Sequence, residues 1–327
     1  MGYFFAGGYF ECLYFERKML IDIVIVNWNA GFLLRECVDS VLKYGNGQVD
    51  RLIVVDNGST DGSIDLLDEL SGVDVIRTGD NLGFAAACNL GAEQGHSPYI
   101  LFLNPDTRIE STSLSMPLAF MEQPENDGIG ICGIQLVNEQ GAVSRTCAHF
   151  PTMSRLLASS LGLVKFPGLR GSGMLMNDWD HKTSRIVDQV IGAFFFIRRS
   201  VFQSVGGFDE RFFVYYEEVD LSLKVKQTGL DSWYLAETQA FHAGGGSSSK
   251  VKAHRLFYSM RSRILYGFKN FPLYHAWLLV GVTIIVEPLT RMTWCTVSGD
   301  MAGVKNTWSA YRMLLKYMAK ILKDGVR

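Results

Sequence analysis

The chain has 327 residues, 48% of them hydrophobic and 20% charged. That content suits one sizeable α/β domain with an extension and excludes wholesale disorder. The net charge of −2 hides an asymmetry: residues 250–327 hold 13 Lys and Arg against 3 Asp and Glu, so an acidic body precedes a basic tail, a tail suited to an anionic surface.

Residues 1–19 are aromatic and Gly-rich. They lack a basic leader and meet Glu11 and Glu16 early, so they read as an extension rather than a secretory signal, with Met19 offering an alternative start. The six cysteines stand singly, with no CxxC pair and no zinc spacing, as expected of buried small hydrophobes in a reducing compartment.

Residues 21–27 (IDIVIVN) predict a buried strand, and 31–44 a helix from the spacing of Leu33, Leu34, Cys37, Val38 and Val41. A second strand (51–56, RLIVVD) ends in a turn, 57–63, with a helix expected at 64–70. A short strand at 73–77, a helix at 84–94 and a strand at 99–104 (YILFLN) follow. Continuous apolar strands separated by helices imply a mostly parallel sheet covered on both faces. Ligands of such sheets bind beyond the carboxyl ends of the strands. Those ends carry Asn27, Asp56 and Asn104-Pro105-Asp106.

Residues 143–188 read as a long loop, 190–198 as a strand, and a helix after Glu218 is expected to stop near Gly229. The apolar stretch 271–286 is expected to end at Glu287-Pro288, short of a bilayer span. In the last segment Trp308, Tyr311, Leu315, Met318 and Leu322 share one helical face. Lys305, Arg312, Lys316, Lys320 and Lys323 share another, the pattern of a helix lying in a headgroup layer.

Asp56, with Asn57-Gly58-Ser59 behind it, suits either a nucleobase or ribose contact or plain turn-and-cap chemistry. Asp106 suits a hard divalent ion that also touches phosphates, with Asn104 in place of a first carboxylate. Glu217, Glu218 and Asp220 crowd three acids into four residues, which raises at least one carboxyl pKa as a general base requires; a helix N-terminus would also attract them. His242, before Gly244-Gly245-Gly246, is either a metal ligand beside a mobile lid or a structural imidazole. No GxGxxG follows the first strand, which argues against a dinucleotide oxidoreductase, and no nucleic-acid motif is present.

Seven motifs occur in order: VNWN (26–29), VDNGSTDGS (55–63), NLGFAAACN (81–89), LFLNPD (101–106), VIGAFFFIRR (190–199), GGFDERFFVYYEEVDL (206–221) and FHAGGGS (241–247). Over residues 21–247 this succession resembles glycosyltransferase family 2, and most closely the bacterial rhamnosyltransferases of cell-wall linker and O-antigen synthesis. The resemblance implies a GT-A catalytic domain at 20–250 and a helical, basic, membrane-associating region at 251–327. It implies an inverting transferase at the cytoplasmic face of the membrane, with Mn²⁺ or Mg²⁺ and a nucleotide-sugar donor, dTDP-L-rhamnose by first choice. The acceptor would be a polyprenyl-diphosphate-linked glycan; a homodimer is compatible, and no nucleic acid is expected. By the same resemblance Glu218 is the base with Glu217 as alternate, and Asp106 and His242 bind the metal. The donor would contact Asn27, Asn29, Asp56, Asn57, Asn81, Gly83, Asn104 and Asp106. Glu218 stands where the family usually has Asp, and galactosyl, N-acetylglucosaminyl or mannosyl transfer, or donor binding without catalysis, are the alternatives.

Overall fold

A computed structural model describes residues 20–45, 47–244 and 251–326. The N-terminal extension and the glycine-rich stretch 245–250, where a lid was expected, lie outside the described residues.

In chain order the strands are β1 (Ile21–Asn27), β2 (Val49–Asp56), β3 (Asp74–Arg77), β4 (Tyr99–Leu103), β5 (Thr107–Ile109), β6 (Ile129–Val137), β7 (Cys147–Ala148), β8 (Arg185–Val187), β9 (Gln189–Val190), β10 (Phe194–Arg198) and β11 (Asp231–His242). The helices are α1 (Phe32–Tyr44), α2 (Phe84–Ala92), α3 (Ser115–Met121), α4 (Met153–Ser160), α5 (Arg199–Ser204), α6 (Glu217–Gln227), α7 (Lys252–Asn270), α8 (Leu273–Gly281), α9 (Glu287–Val297) and α10 (Met301–Gly325). The main sheet runs β3-β2-β1-β4-β10-β6-β11-β5, with β8 on β11. Its first four strands are parallel, β10 is antiparallel to both neighbours, and β6 and β11 are again parallel.

The apolar strands are buried on both sides because successive residues point to opposite faces. Ile21, Ile23 and Ile25 join one core layer with Leu34 and Val38 of α1. Val24 and Val26 join the other with Ala85 and Cys88 of α2. A third core unites Phe212, Tyr216 and Val219 with Phe257, Met260 and Ile264 of α7 and Tyr311, Leu314 and Ile321 of α10. The segment beyond residue 250 therefore shares a core with the start of α6.

Four expectations need correction. The helix at 64–70 is a single 3-10 turn, Ile64–Leu67. The loop 143–188 contains α4, β7 and β8. Glu287-Pro288 does not end the apolar helix: α8 and α9 form one helix, Leu273–Val297, joined by a π turn at Val282–Val286. The proline sits in the first turn of α9, just after this widened turn, where the irregular ladder accommodates its missing N–H. Finally, the expected apolar face of α10 is split. Tyr311 packs inward with Leu314 and Ile321, whereas Trp308 and Leu315 are exposed.

At the ends of the central strands away from the motifs, Arg199 is buried against Asp22 (2.6 Å) and also donates to the carbonyls of Ser97 and Ala92. Asp22 accepts from the amide and hydroxyl of Ser97. This pair ties β1, the turn before β4, and α5 together. Asp22→Ala would leave the guanidinium buried without its counter-charge. A loss of about 3–5 kcal/mol in urea unfolding is expected; a loss below about 1 kcal/mol would show that the network is not a structural anchor.

Candidate active site

A cleft of about 670 Å³ opens at the carboxyl ends of β1, β2 and β4. Asn57, Asn81, Asn104, Asp106, Glu217, Glu218 and His242 line it, so seven expected residues from distant stretches of chain converge.

Strand pairing produces the first convergence. β5 runs antiparallel to β11 with Thr107 opposite His242, and the amide of Ala243 donates to the carbonyl of Asp106. Two adjacent strands thus set His242 Nε2 3.3 Å from Asp106 Oδ1, each side chain about 11% exposed. The backbone is fixed upstream by the amide of Asn104, which donates to Ala193 at the entry to β10.

Charge sorting produces the second. Of the acids around α6, Asp209 bonds Arg211 and Lys269, and Asp220 bonds Lys269 at 2.7 Å. Against the effect of burial, hydrogen bonds from Arg211 and Lys269 hold the Asp209 carboxyl well below the usual range. Glu217 and Glu218 enter no such ion pair among the described residues, and each has a buried carboxylate oxygen without a hydrogen-bond partner. Burial pushes both carboxyls up. Glu217 is raised further by the charge of Glu218. Glu218 is partly relieved by the amides of Glu218 and Val219 at the start of α6. Glu217 is therefore the more strongly raised of the two, and Glu218 is the first to give up its proton as pH rises.

The backbone ahead of them is strained. Tyr215 and Tyr216 both have positive φ (68° and 72°), a conformation costly for bulky side chains. Neighbours hold it there. The amide of Phe84 donates to the carbonyl of Phe213 (2.6 Å), Ser262 Oγ to that of Val214 (2.8 Å), and Arg261 to that of Arg211 (2.8 Å). Gly83, with φ of 92°, permits the approach.

The other expected donor contacts, Asn27, Asn29, Asp56 and Gly83, are not among the residues that line this cleft. Asn27 is buried, its amide within 3.0 Å of Asp56, Ser59 and Ser63. Asn29 accepts from the amide of Thr60. Asp56 is buried against Asn27, and Asn57 spans to Asn81 and the carbonyl of Gly83. These residues brace the loops that present Asn57 and Asn81. The cleft also takes in Trp28, Tyr215 and, from the start of α7, His254, Arg255 and Tyr258. Trp28 lay in view inside the VNWN motif, whereas His254 and Arg255 were hidden in a basic stretch read as membrane-facing.

Among the described residues no group of three or more His, Cys, Asp and Glu is arranged to hold a metal ion. Asp106 and His242 nevertheless suit a divalent cation whose other ligands come from a diphosphate and water, since a hard cation commonly takes few protein ligands beside phosphate oxygens.

The family model for Glycosyl transferase family 2 matches residues 22–206. The chain is 26% identical over 250 residues to an N-acetylglucosaminyl-diphospho-decaprenol L-rhamnosyltransferase of Mycobacterium tuberculosis, covering 72% of this chain and 80% of that one. It is 25% identical over 329 residues to the low-salt glycan biosynthesis hexosyltransferase Agl10 of Haloferax volcanii, covering 96% and 94%. A mannosyltransferase from Pyrobaculum calidifontis, solved with GDP-Man and Mn²⁺, superposes with a TM-score of 0.52 at 11% identity over 94% of this chain and 84% of that one. The fold is the GT-A arrangement that the motif order implied.

A Cβ at Gly83 would lie 2.7 Å from both the ring and the carbonyl of Phe213. Gly83→Ala is therefore expected to cost about 1–3 kcal/mol in denaturant unfolding and to speed proteolysis within residues 212–216. Unchanged stability and protection would show that this contact does not hold the loop.

Proposed function

The chain belongs to glycosyltransferase family 2, and from that premise we propose that it is an inverting, metal-assisted hexosyltransferase of surface-glycan synthesis. The donor we favour is dTDP-L-rhamnose and the acceptor a polyprenyl-diphosphate-linked glycan, used at the cytoplasmic face of the membrane. The observation that carries the reading is the shared cleft of Asp106, His242, Glu217 and Glu218. The rhamnosyl choice draws on relatives such as the mycobacterial rhamnosyltransferase; galactosyl, N-acetylglucosaminyl or mannosyl transfer would use the same machinery.

In the proposed reaction the Glu218 carboxylate takes the proton of an acceptor hydroxyl. That oxygen bonds to the anomeric carbon while the bond from the same carbon to the nucleoside diphosphate breaks on the opposite face, inverting the centre. Glu217, pushed up more strongly by burial and by its neighbour's charge, ionises after Glu218, which makes Glu218 the readier proton acceptor. Asp106 and His242 would hold a divalent cation, which when bound offsets charge gathering on the leaving diphosphate. Asn57 and Asn81 line the donor's side of the cleft, and His254 and Arg255 bring cationic or donor groups to it from α7.

Glu218→Gln should lower turnover by about 10²–10⁴-fold while nucleotide affinity stays nearly intact, and near-normal turnover would remove Glu218 as base. Because burial raises this carboxyl, activity should climb with pH as Glu218 loses its proton, with a midpoint above the ordinary glutamate range. Glu217→Gln should keep that acid limb in place; its disappearance would transfer the base role to Glu217. EDTA should stop transfer, and full activity in EDTA would exclude the metal.

A further inference from the structure

The C-terminal helices carry apolar surface that the other described residues do not cover. Helix Leu273–Val297 is long and apolar enough to cross a membrane, yet only 28% of its apolar stretch is buried. Tyr274, Leu278, Ile285 and Leu289 are all exposed. They recur at spacings of four, seven and four residues through the π turn, so they follow one side of the helix. The exposed face of α10 adds Trp308 and Leu315, with Lys305, Arg312 and Lys316 interleaved at helical spacing.

The middle of that apolar helix is not free to enter hydrocarbon. Glu287 is buried against Arg263 of α7, and it also receives Arg291 (2.7 Å) and the hydroxyl of Ser160 on α4 (3.3 Å). Arg263 reaches Thr283 in the π turn at 3.0 Å, and Thr290 donates to the carbonyl of Ser160 at 2.8 Å. The helix is therefore fastened at its centre to α4 and α7, and α7 also supplies one wall of the cleft. To cross a bilayer the helix would have to drag Arg263 and Ser160 into the hydrocarbon or abandon Glu287 there, both strongly unfavourable.

We infer that α8–α9 and the exposed face of α10 form a platform that lies in the plane of an anionic bilayer surface and does not span it. The inference deepens the membrane-face reading above and rests on it for the side on which the platform lies. Two features favour lipid as the occupant. Exposed aromatic and aliphatic side chains alternating with Lys and Arg suit the headgroup layer. Lys305, Arg312 and Lys316 are exposed on this face of α10, so two copies apposed through it would bring like charges together. The platform sets α7, and with it the cleft, beside the surface where a lipid-linked acceptor would reside.

The test uses the full chain. Flotation is measured with vesicles of phosphatidylcholine alone and of phosphatidylcholine mixed with phosphatidylglycerol. Two variants are compared: Tyr274→Gln/Leu278→Gln/Ile285→Gln/Leu289→Gln, and Lys305→Glu/Arg312→Glu/Lys316→Glu. The wild type should float with the anionic vesicles, and each variant should lose about tenfold or more of that binding. Nucleoside-diphosphate affinity in solution should stay within about twofold in both, because the altered side chains are exposed, which separates failure of the platform from failure of the fold or of the transferase reading. In a Cys12→Ser/Cys295→Ser background, Leu273→Cys and Val297→Cys, which lie outside that row, should both react with a membrane-impermeant maleimide in inverted vesicles and neither in intact cells. Labelling of the two positions from opposite sides would overturn the in-plane arrangement. A wild type that does not float, or one that forms dimers abolished by the same substitutions, would overturn lipid as the occupant.

Discussion

Lys269 neutralises the buried Asp220 and the partly buried Asp209 at once, and the catalytic end of the fold depends on that bridge. It reaches from α7 to Asp209, on the turn before α6, and to Asp220, in the first turn of α6. With those charges matched, and with Glu210 accepting from Asn89, Glu217 and Glu218 are the acids of the segment left to face the cleft. The same contact docks the C-terminal helices, since Phe212, Tyr216 and Val219 share a core with α7 and α10. Removing one partner of such a buried network leaves an unmatched charge, which costs far more than a surface pair. The region beyond residue 250 is therefore part of the site's framework.

The opposite wall is set by backbone pairing, which demands little of the side chains. Asp106 precedes the first residue of β5, and His242 is the last residue of β11; their approach follows from the register Thr107 opposite His242. Arg108 stacks over Phe241, 3.8 Å from the ring centre, and pairs with Glu36 of α1, so the short ladder is clamped from outside. One wall is thus held by strand register and the other by buried ion pairs, with the strained Tyr215-Tyr216 turn between them.

Much of this was legible in the sequence, for physical reasons. Residues 21–27, 51–56 and 99–104 are continuous apolar runs, and such runs belong to strands buried on both faces. The polar residues ending them fall where the fold places its cleft. β11 was not legible, because a register shift between Leu235 and Gln239 breaks its two-residue period. Asn27 and Asn29 sit in the right motif, but their hydrogen bonds go to the protein; strand-end position alone cannot distinguish a ligand contact from a loop brace. The apolar helix was cut short at Pro288 because a π turn leaves no mark in hydrophobic periodicity. Arg263 and Glu287, far apart in sequence, likewise gave no sign that they would meet inside the helical region.

The central claim is that residues from the β5–β11 ladder share one divalent ion with the donor's diphosphate. Pulsed electron paramagnetic resonance of Mn²⁺ added to the protein with a nucleoside diphosphate tests it directly. A shared ion should show nitrogen coupling from one imidazole, lost in His242→Gln, together with phosphorus coupling from the diphosphate. Phosphorus coupling without any protein nitrogen, or a nitrogen signal that persists in His242→Gln, would contradict it.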